Sequence, residues 1–241
     1  MERISTGIKD LDRLIEHGYP RNHTILITGT TGSGKTILGL HYINQACMDG
    51  KKCFIIATEE DPKDLIAQAE SLGMPLSEYF KDNRLGIDKV FEARTKYVMS
   101  IRNNKVANID ELQSDIIGLL DRIPNDIEIV LIDNIGVFTL NMSVNEFRAQ
   151  FDTLIRGLAE RKISSVIIMD SASDERMGGI AAYSVYGVIV TSIKDDPYTN
   201  KMGRTIRVLK IRNTKIPIDL MGFDITSKGI VLWTAPKNLD K

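Results

Sequence analysis

The chain has 241 residues, and its 31 Lys and Arg against 32 Asp and Glu leave a formal net charge of −1. That balance excludes a protein that coats nucleic acid through its overall charge, so any such surface must be a local patch. Two cysteines, Cys47 and Cys53, make no disulfide framework, and the histidines His17, His23 and His41 lack metal-ligand spacing.

In chain order, residues 5–16 read as a short helix behind a turn. Residues 25–28 form an apolar strand and 36–48 a helix. Residues 53–58 are a second apolar strand, followed by a helix over 62–72 with Pro62 suited to its first turn. A strand is expected over 84–91 and a helix over 109–123, closed by Pro124. The strongly apolar strand 127–132 precedes a helix over 144–161, with Leu154, Ile155 and Leu158 on one face. Residues 165–169 are another strand. Continuous apolar strands separated by helices predict an α/β fold with a mostly parallel sheet covered on both faces. Beyond Gly187, residues 188–192, 204–212, 217–225 and 230–233 are closely spaced strands with no helix between them, which predicts a C-terminal antiparallel extension.

The sequence contains no linker, repeat or low-complexity stretch, and its length suits one domain over residues 1–241. No signal pattern opens the chain, and no apolar run reaches the roughly 18 residues of a membrane span. The expectation is a cytoplasmic protein without membrane contact.

Gly29, Thr30, Thr31, Gly32, Ser33, Gly34, Lys35 and Thr36 fit the pattern G-x-x-x-x-G-K-[ST]. Such a loop turns successive backbone N–H groups inward on phosphate oxygens, and the following helix adds its positive dipole end. Lys35 is expected to reach the β- and γ-phosphates of ATP, and the Thr36 hydroxyl to ligate Mg²⁺. The loop follows a predicted strand and opens a predicted helix, as the mechanism needs.

Phosphoryl transfer also needs a second metal anchor and a group to position or deprotonate water. Asp133, at the end of the 127–132 strand, is the expected second Mg²⁺ ligand. Glu59 and Glu60 follow the 53–58 strand, and Glu59 is the expected general base with Glu60 supporting it. Like charges beside a metal site raise one carboxylate pKa and make it a better base. The alternative is that both glutamates only favour the dipole of the next helix.

With these motifs in order, the chain resembles the RecA/RadA/KaiC superfamily of P-loop ATPases, nearest its single-domain archaeal KaiC-like or RadA-paralogue members. Ser5-Thr6-Gly7-Ile8 with Leu11, Asp12 and Leu14 matches the opening stretch of that group, and Val208 to Thr214 matches its K-x-R strand. The resemblance runs from about residue 4 to residue 233. It implies a RecA-like core that binds ATP at subunit boundaries in a ring or filament. It also implies that Lys210 and Arg212 enter a neighbour's site and touch its γ-phosphate, where an arginine offsets developing charge. From spacing alone, Arg204, Arg207, Lys210 and Arg212 are only alternating basic residues on a strand.

The sequence departs from the group's pattern at three places. Glu16-His17-Gly18-Tyr19-Pro20 replaces a glycine cluster, Asn22 stands where Gly is usual, and the 165–169 strand ends in Asp170-Ser171 where relatives carry Thr, Ser or Gln. Two uses of ATP remain open. The first is an accessory in DNA repair or recombination, with single-stranded DNA met by the loops 134–143 and 171–187 or by the basic stretch from Arg94 to Lys105. The second is a KaiC-like regulatory switch acting on protein partners.

Overall fold

Six strands lie side by side and parallel, the central ones apolar on both faces, as a sheet covered by helices on both sides needs. In the computed structural model, which describes residues 1–90, 116–171, 174–195 and 202–233, these belong to one nine-stranded sheet. They are β3 (Thr24–Gly29), β4 (Cys53–Ala57), β5 (Leu85–Lys89), β6 (Ile129–Asp133), β7 (Ser164–Asp170) and β8 (Gly187–Asp195). Short strands β1 (Arg3–Ile4) and β2 (Tyr19–Pro20) pair apart from that sheet. Then β9 (Met202–Ile211), β10 (Met221–Thr226) and β11 (Gly229–Trp233) continue it antiparallel, giving the order β11-β10-β9-β8-β3-β7-β6-β4-β5.

The period-2 alternation of each strand divides the core in two. Ile25, Ile27, Ile55, Leu131 and Ile168 face one layer, built on α1 (Lys9–Leu14), α2 (Lys35–Met48), α3 (Pro62–Ser71) and α4 (Leu76–Lys81). Leu26, Ile56, Val130, Ile132 and Ile167 face the other. That layer holds α5 (Leu119–Arg122), α6 (Val144–Glu160) and α7 (Glu175–Ser184). Phe147, Phe151, Leu154 and Leu158 recur at helical spacing along α6 and are fully buried. Ser143 caps α6 by accepting from the Glu146 N–H. Helix α2 lies close on the sheet at Gly39, where a Cβ would meet Leu131 Cδ1 at 2.7 Å.

The parallel sheet and its antiparallel extension stand as expected, and several boundaries move. The first helix covers only Lys9–Leu14, and β10 begins at Met221 rather than at residue 217. Pro217 lacks the N–H that a paired strand would donate. Helix α4 had no separate expectation. Of the expected helix 109–123, residues 116–123 are described, and α5 covers four of them. The segment 171–187 is not the loop expected there, because α7 occupies most of it. Asp174 caps that helix, accepting from the N–H groups of Arg176 and Met177. Residues 135–141 likewise form a 3₁₀ helix within the expected loop 134–143. Asn22 adopts the left-handed backbone, with φ 61°, at the position where it replaces Gly.

His41 ties α2 to the antiparallel extension. Its Nε2 accepts the Ile230 N–H at 2.9 Å. Burial pushes its pKa down to about 4, and a hydrogen bond with the Gly7 backbone opposes that shift. The folded state therefore holds a neutral imidazole that the unfolded chain protonates below pH 6.5. Stability from this group is intact above pH 6.5 and is lost as pH falls toward 4, by about 3 kcal/mol for such a shift. Urea unfolding from pH 7.5 to 4.5 should show a steeper loss for the wild type than for His41→Gln, and NMR should place the His41 titration well below 6.5. A His41 that titrates near 6.5 contradicts the burial argument.

Candidate active site

Parallel strands end at one edge, and four of these endings carry the site. In register, Gly29 of β3 sits beside Asp170 of β7, and Ala57 of β4 beside Asp133 of β6. The strand order β3-β7-β6-β4 therefore sets the phosphate loop, Asp170, Asp133 and the Glu59–Glu60 pair in a row. Thr58 pins the last two together. Its Oγ1 accepts the Asn134 N–H at 2.8 Å and donates to the Asn134 carbonyl at 2.9 Å.

A cleft of about 300 Å³ opens at this edge. Thr31, Gly32, Gly34, Lys35, Thr36, Glu59, Glu60 and Asp133 line it, together with Ile37, Gln68, Asn134, Asp170, Arg204 and Ile225. Most of the residues expected from sequence thus meet in one place. Gly29, Thr30 and Ser33 shape the loop behind it. The Lys35 ammonium donates to the carbonyls of Gly29 at 3.1 Å and Thr30 at 2.9 Å. The Ser33 hydroxyl donates to the Thr30 carbonyl at 2.6 Å. Gly34 is the N-cap of α2 with φ 92°, a left-handed conformation that side-chain-bearing residues resist.

Lys210 and Arg212 do not join this cleft. Strand β9 runs antiparallel to β8, so Met202 lies at the loop edge and Ile211 opposite Gly187 at the far edge. Ile206 pairs with Thr191, which pairs with Gly29, so Arg212 stands six residues further along, roughly 20 Å at strand rise. Both side chains donate to the Tyr183 carbonyl, Lys210 at 3.2 Å and Arg212 at 3.0 Å. Burial and the Arg212 charge push the Lys210 pKa down.

Asp133 carries the strongest electrostatic mark in the cleft. Burial pushes its pKa up to about 6, Glu60 and Glu59 add to this, and the Thr36 hydroxyl and Lys35 pull it down. A buried carboxylate that is costly to ionise is relieved by a divalent cation. Among the described residues, no cluster of three or more His, Cys, Asp or Glu would cage a metal. One carboxylate and one hydroxyl suit Mg²⁺, which keeps several waters and takes phosphate oxygens. Glu60 is also held above the usual carboxylate range, first by burial and then by Asp64 and Glu59. Asp61 caps the helix that follows, accepting from the Lys63 N–H at 3.1 Å.

Of the polar lining groups, Arg204, Gln68 and Asn134 were not picked out from sequence, and Asp170 was noted only as a departure from the group's pattern. Arg204 donates to the Gly32 carbonyl at 3.2 Å, and its alternating neighbours hid it. Asp170 ends an apolar strand, the same signal that marked Asp133. Asn134 and Gln68 have no local signature, and among the described residues their buried side-chain oxygens have no hydrogen-bond partner.

A family model described as "ATPase: KaiC" matches residues 4–237. The chain belongs to the KaiC family of ATPases. Among KaiC-family relatives, it is 27% identical over 234 residues to a UPF0273 protein of Methanopyrus kandleri, covering 95% of this chain and 91% of that one. It is 27% identical over 243 residues to the circadian clock oscillator protein KaiC of Prochlorococcus marinus, covering 97% of this chain but 45% of that protein. The chain thus spans about half of that clock protein. A crystal structure of a KaiC-like protein from Pyrococcus horikoshii shares the fold, with TM-score 0.74, 24% identity and coverage of 96% of this chain and 99% of that one.

Gly34→Ala should cost about 1–2 kcal/mol, the penalty of a left-handed backbone with a Cβ. The new Cβ would also stand 3.3 Å from Ile225 and Phe223. Urea midpoints of the two proteins measure this, and equal midpoints contradict the assigned loop conformation.

Proposed function

We propose that the chain, as one ATPase domain over residues 1–241, binds ATP with Mg²⁺, hydrolyses it, and uses its nucleotide state to switch contacts with protein partners. The observation that carries this reading is the meeting of Lys35, Thr36, Asp133 and the Glu59–Glu60 pair in one cleft of a KaiC-family chain. Loop N–H groups and the α2 dipole favour the phosphates, and Lys35 supplies a charge to their β and γ groups. Thr36 and Asp133 would hold the ion. Mg²⁺, when bound, would neutralise the charge that develops on the phosphates. Glu59 acts as general base, with Glu60 beside it in support. Gln68 and Asn134 offer acceptors that orient a water.

Lys210 and Arg212, about 13 and 20 Å along the sheet from their own loop, are proposed to act in a neighbour's cleft within a homo-oligomeric ring or filament. The switch reading is preferred to DNA repair because the chain is near neutral overall and the segments 134–143 and 171–187, expected to meet DNA as loops, are largely helical. The basic stretch 94–105 lies outside the described residues. In segment 171–187, Arg176 is tied to Asp174 at 3.0 Å and Tyr186 stacks on His23 at 3.7 Å. Among the described residues no helix is long and apolar enough to cross a membrane.

Steady-state ATP hydrolysis tests the reading. Lys35→Ala should abolish tight binding and turnover, and undiminished turnover would sink the site assignment. Glu59→Gln should keep nucleotide binding and lose about 10²–10⁴ in kcat, the usual contribution of a general base. Arg212→Ala should bind nucleotide like the wild type and turn over at least tenfold more slowly in an assembled sample. An unchanged rate there removes the trans role. Salt-sensitive stimulation by single-stranded DNA would move the assignment to the repair reading.

A further inference from the structure

We propose that Asp170 is a specificity-determining residue that weakens the nucleoside triphosphate relative to the diphosphate in this cleft. The inference rests on the reading of the cleft as a nucleotide site. Three observations lead to it. First, the Asp170 carboxylate already holds the group that a terminal phosphate needs. Its Oδ2 lies 3.2 Å from the Lys35 ammonium and accepts the Thr31 hydroxyl at 3.1 Å. Lys35 is almost wholly buried, with 9% of its side chain exposed, against 24% for Asp170. A buried ammonium keeps an anion beside it, and phosphate must share or displace that anion.

Second, the carboxylate is fixed in place by the sheet. Asp170 closes β7, between the loop strand β3 and the Asp133 strand β6, and its Cα is in register with Gly29. The next N–H, of Ser171, donates to the Gly29 carbonyl at 3.0 Å. The side chain can turn, but the backbone cannot carry it away from the loop without breaking this pairing.

Third, the cleft has a surplus of negative charge. Glu59, Glu60, Asp133 and Asp170 face Lys35 and Arg204 across it. One divalent cation offsets that surplus before any charge of the nucleotide is counted. A triphosphate carries one more negative charge than a diphosphate and extends it past the β-phosphate at the Lys35 end, next to Asp170. An uncharged residue at position 170 would leave Lys35 free for the terminal phosphate. With aspartate there, the cleft favours the diphosphate, and the ATP-bound state of the switch is the one held back.

Equilibrium titration with MgATP and MgADP tests this on the wild type, Asp170→Asn, Asp170→Ser and Lys35→Ala. Both Asp170 variants should raise the ratio of ATP to ADP affinity at least tenfold, mainly by tightening ATP. Two replacements keep the test alive if one of them folds poorly. A smaller rise, no change or a fall in that ratio overturns the assignment. Lys35→Ala separates the two levels. If it loses both nucleotides while the ratio is unmoved by the Asp170 variants, only the Asp170 assignment fails. If it binds both like the wild type, the nucleotide reading of the cleft fails and this inference falls with it.

Discussion

Parallel pairing of β3, β7, β6 and β4 is the constraint on which the site depends. Residues about 140 apart in sequence, such as Gly29 and Asp170, become neighbours because their strands must end at the same edge. The pairing is enforced by burial on both faces, where a one-residue slip would exchange the two core layers. The chemistry is thus placed by hydrophobic patterning far more than by contacts among the polar groups themselves. Gly39 belongs to the same constraint. A helix interior disfavours Gly by about 1 kcal/mol relative to Ala, yet only Gly lets α2 lie this close to Leu131. The close approach sets where the helix begins, and so where Lys35 and Thr36 stand.

The polar groups then work against one another. Carboxylates crowd the row from Asp170 to Glu60, and burial raises the cost of keeping Asp133 and Glu60 charged. Such a cleft is poorly balanced by itself, and cations would balance it, the proposed metal ion together with basic side chains. Lys35 and Arg204 supply two from the same chain. Lys210 and Arg212 lie at the other edge of the sheet, where the same strand that brings Arg204 to the loop carries them away from it. A single β9 therefore serves both edges, and in the proposed assembly it would link one nucleotide site to the next.

Much of this was legible in the sequence because it is written in local patterns. The loop from Gly29 to Thr36 states its own conformation through Gly34 and its chemistry through Lys35 and Thr36. Apolar runs gave the parallel strands, and Asp133 and Glu59 followed from strands that must end at the loop edge. Arg204, Gln68 and Asn134 were not legible as site residues, since only tertiary packing decides that they share a cleft. The helix α7 was missed because Gly178 and Gly179 read as loop, although the Asp174 cap stabilises its first turn. A Cβ at either glycine would meet nothing within 4 Å, so no close packing explains them.

Calorimetric titration of ATP into the full chain, with Mg²⁺ present and then with the metal chelated, tests the central claim most directly. One nucleotide should bind per chain, tightly with Mg²⁺ and at least tenfold more weakly without it. Affinity that is indifferent to Mg²⁺, or no binding under either condition, would contradict a cleft organised around Lys35, Thr36 and Asp133.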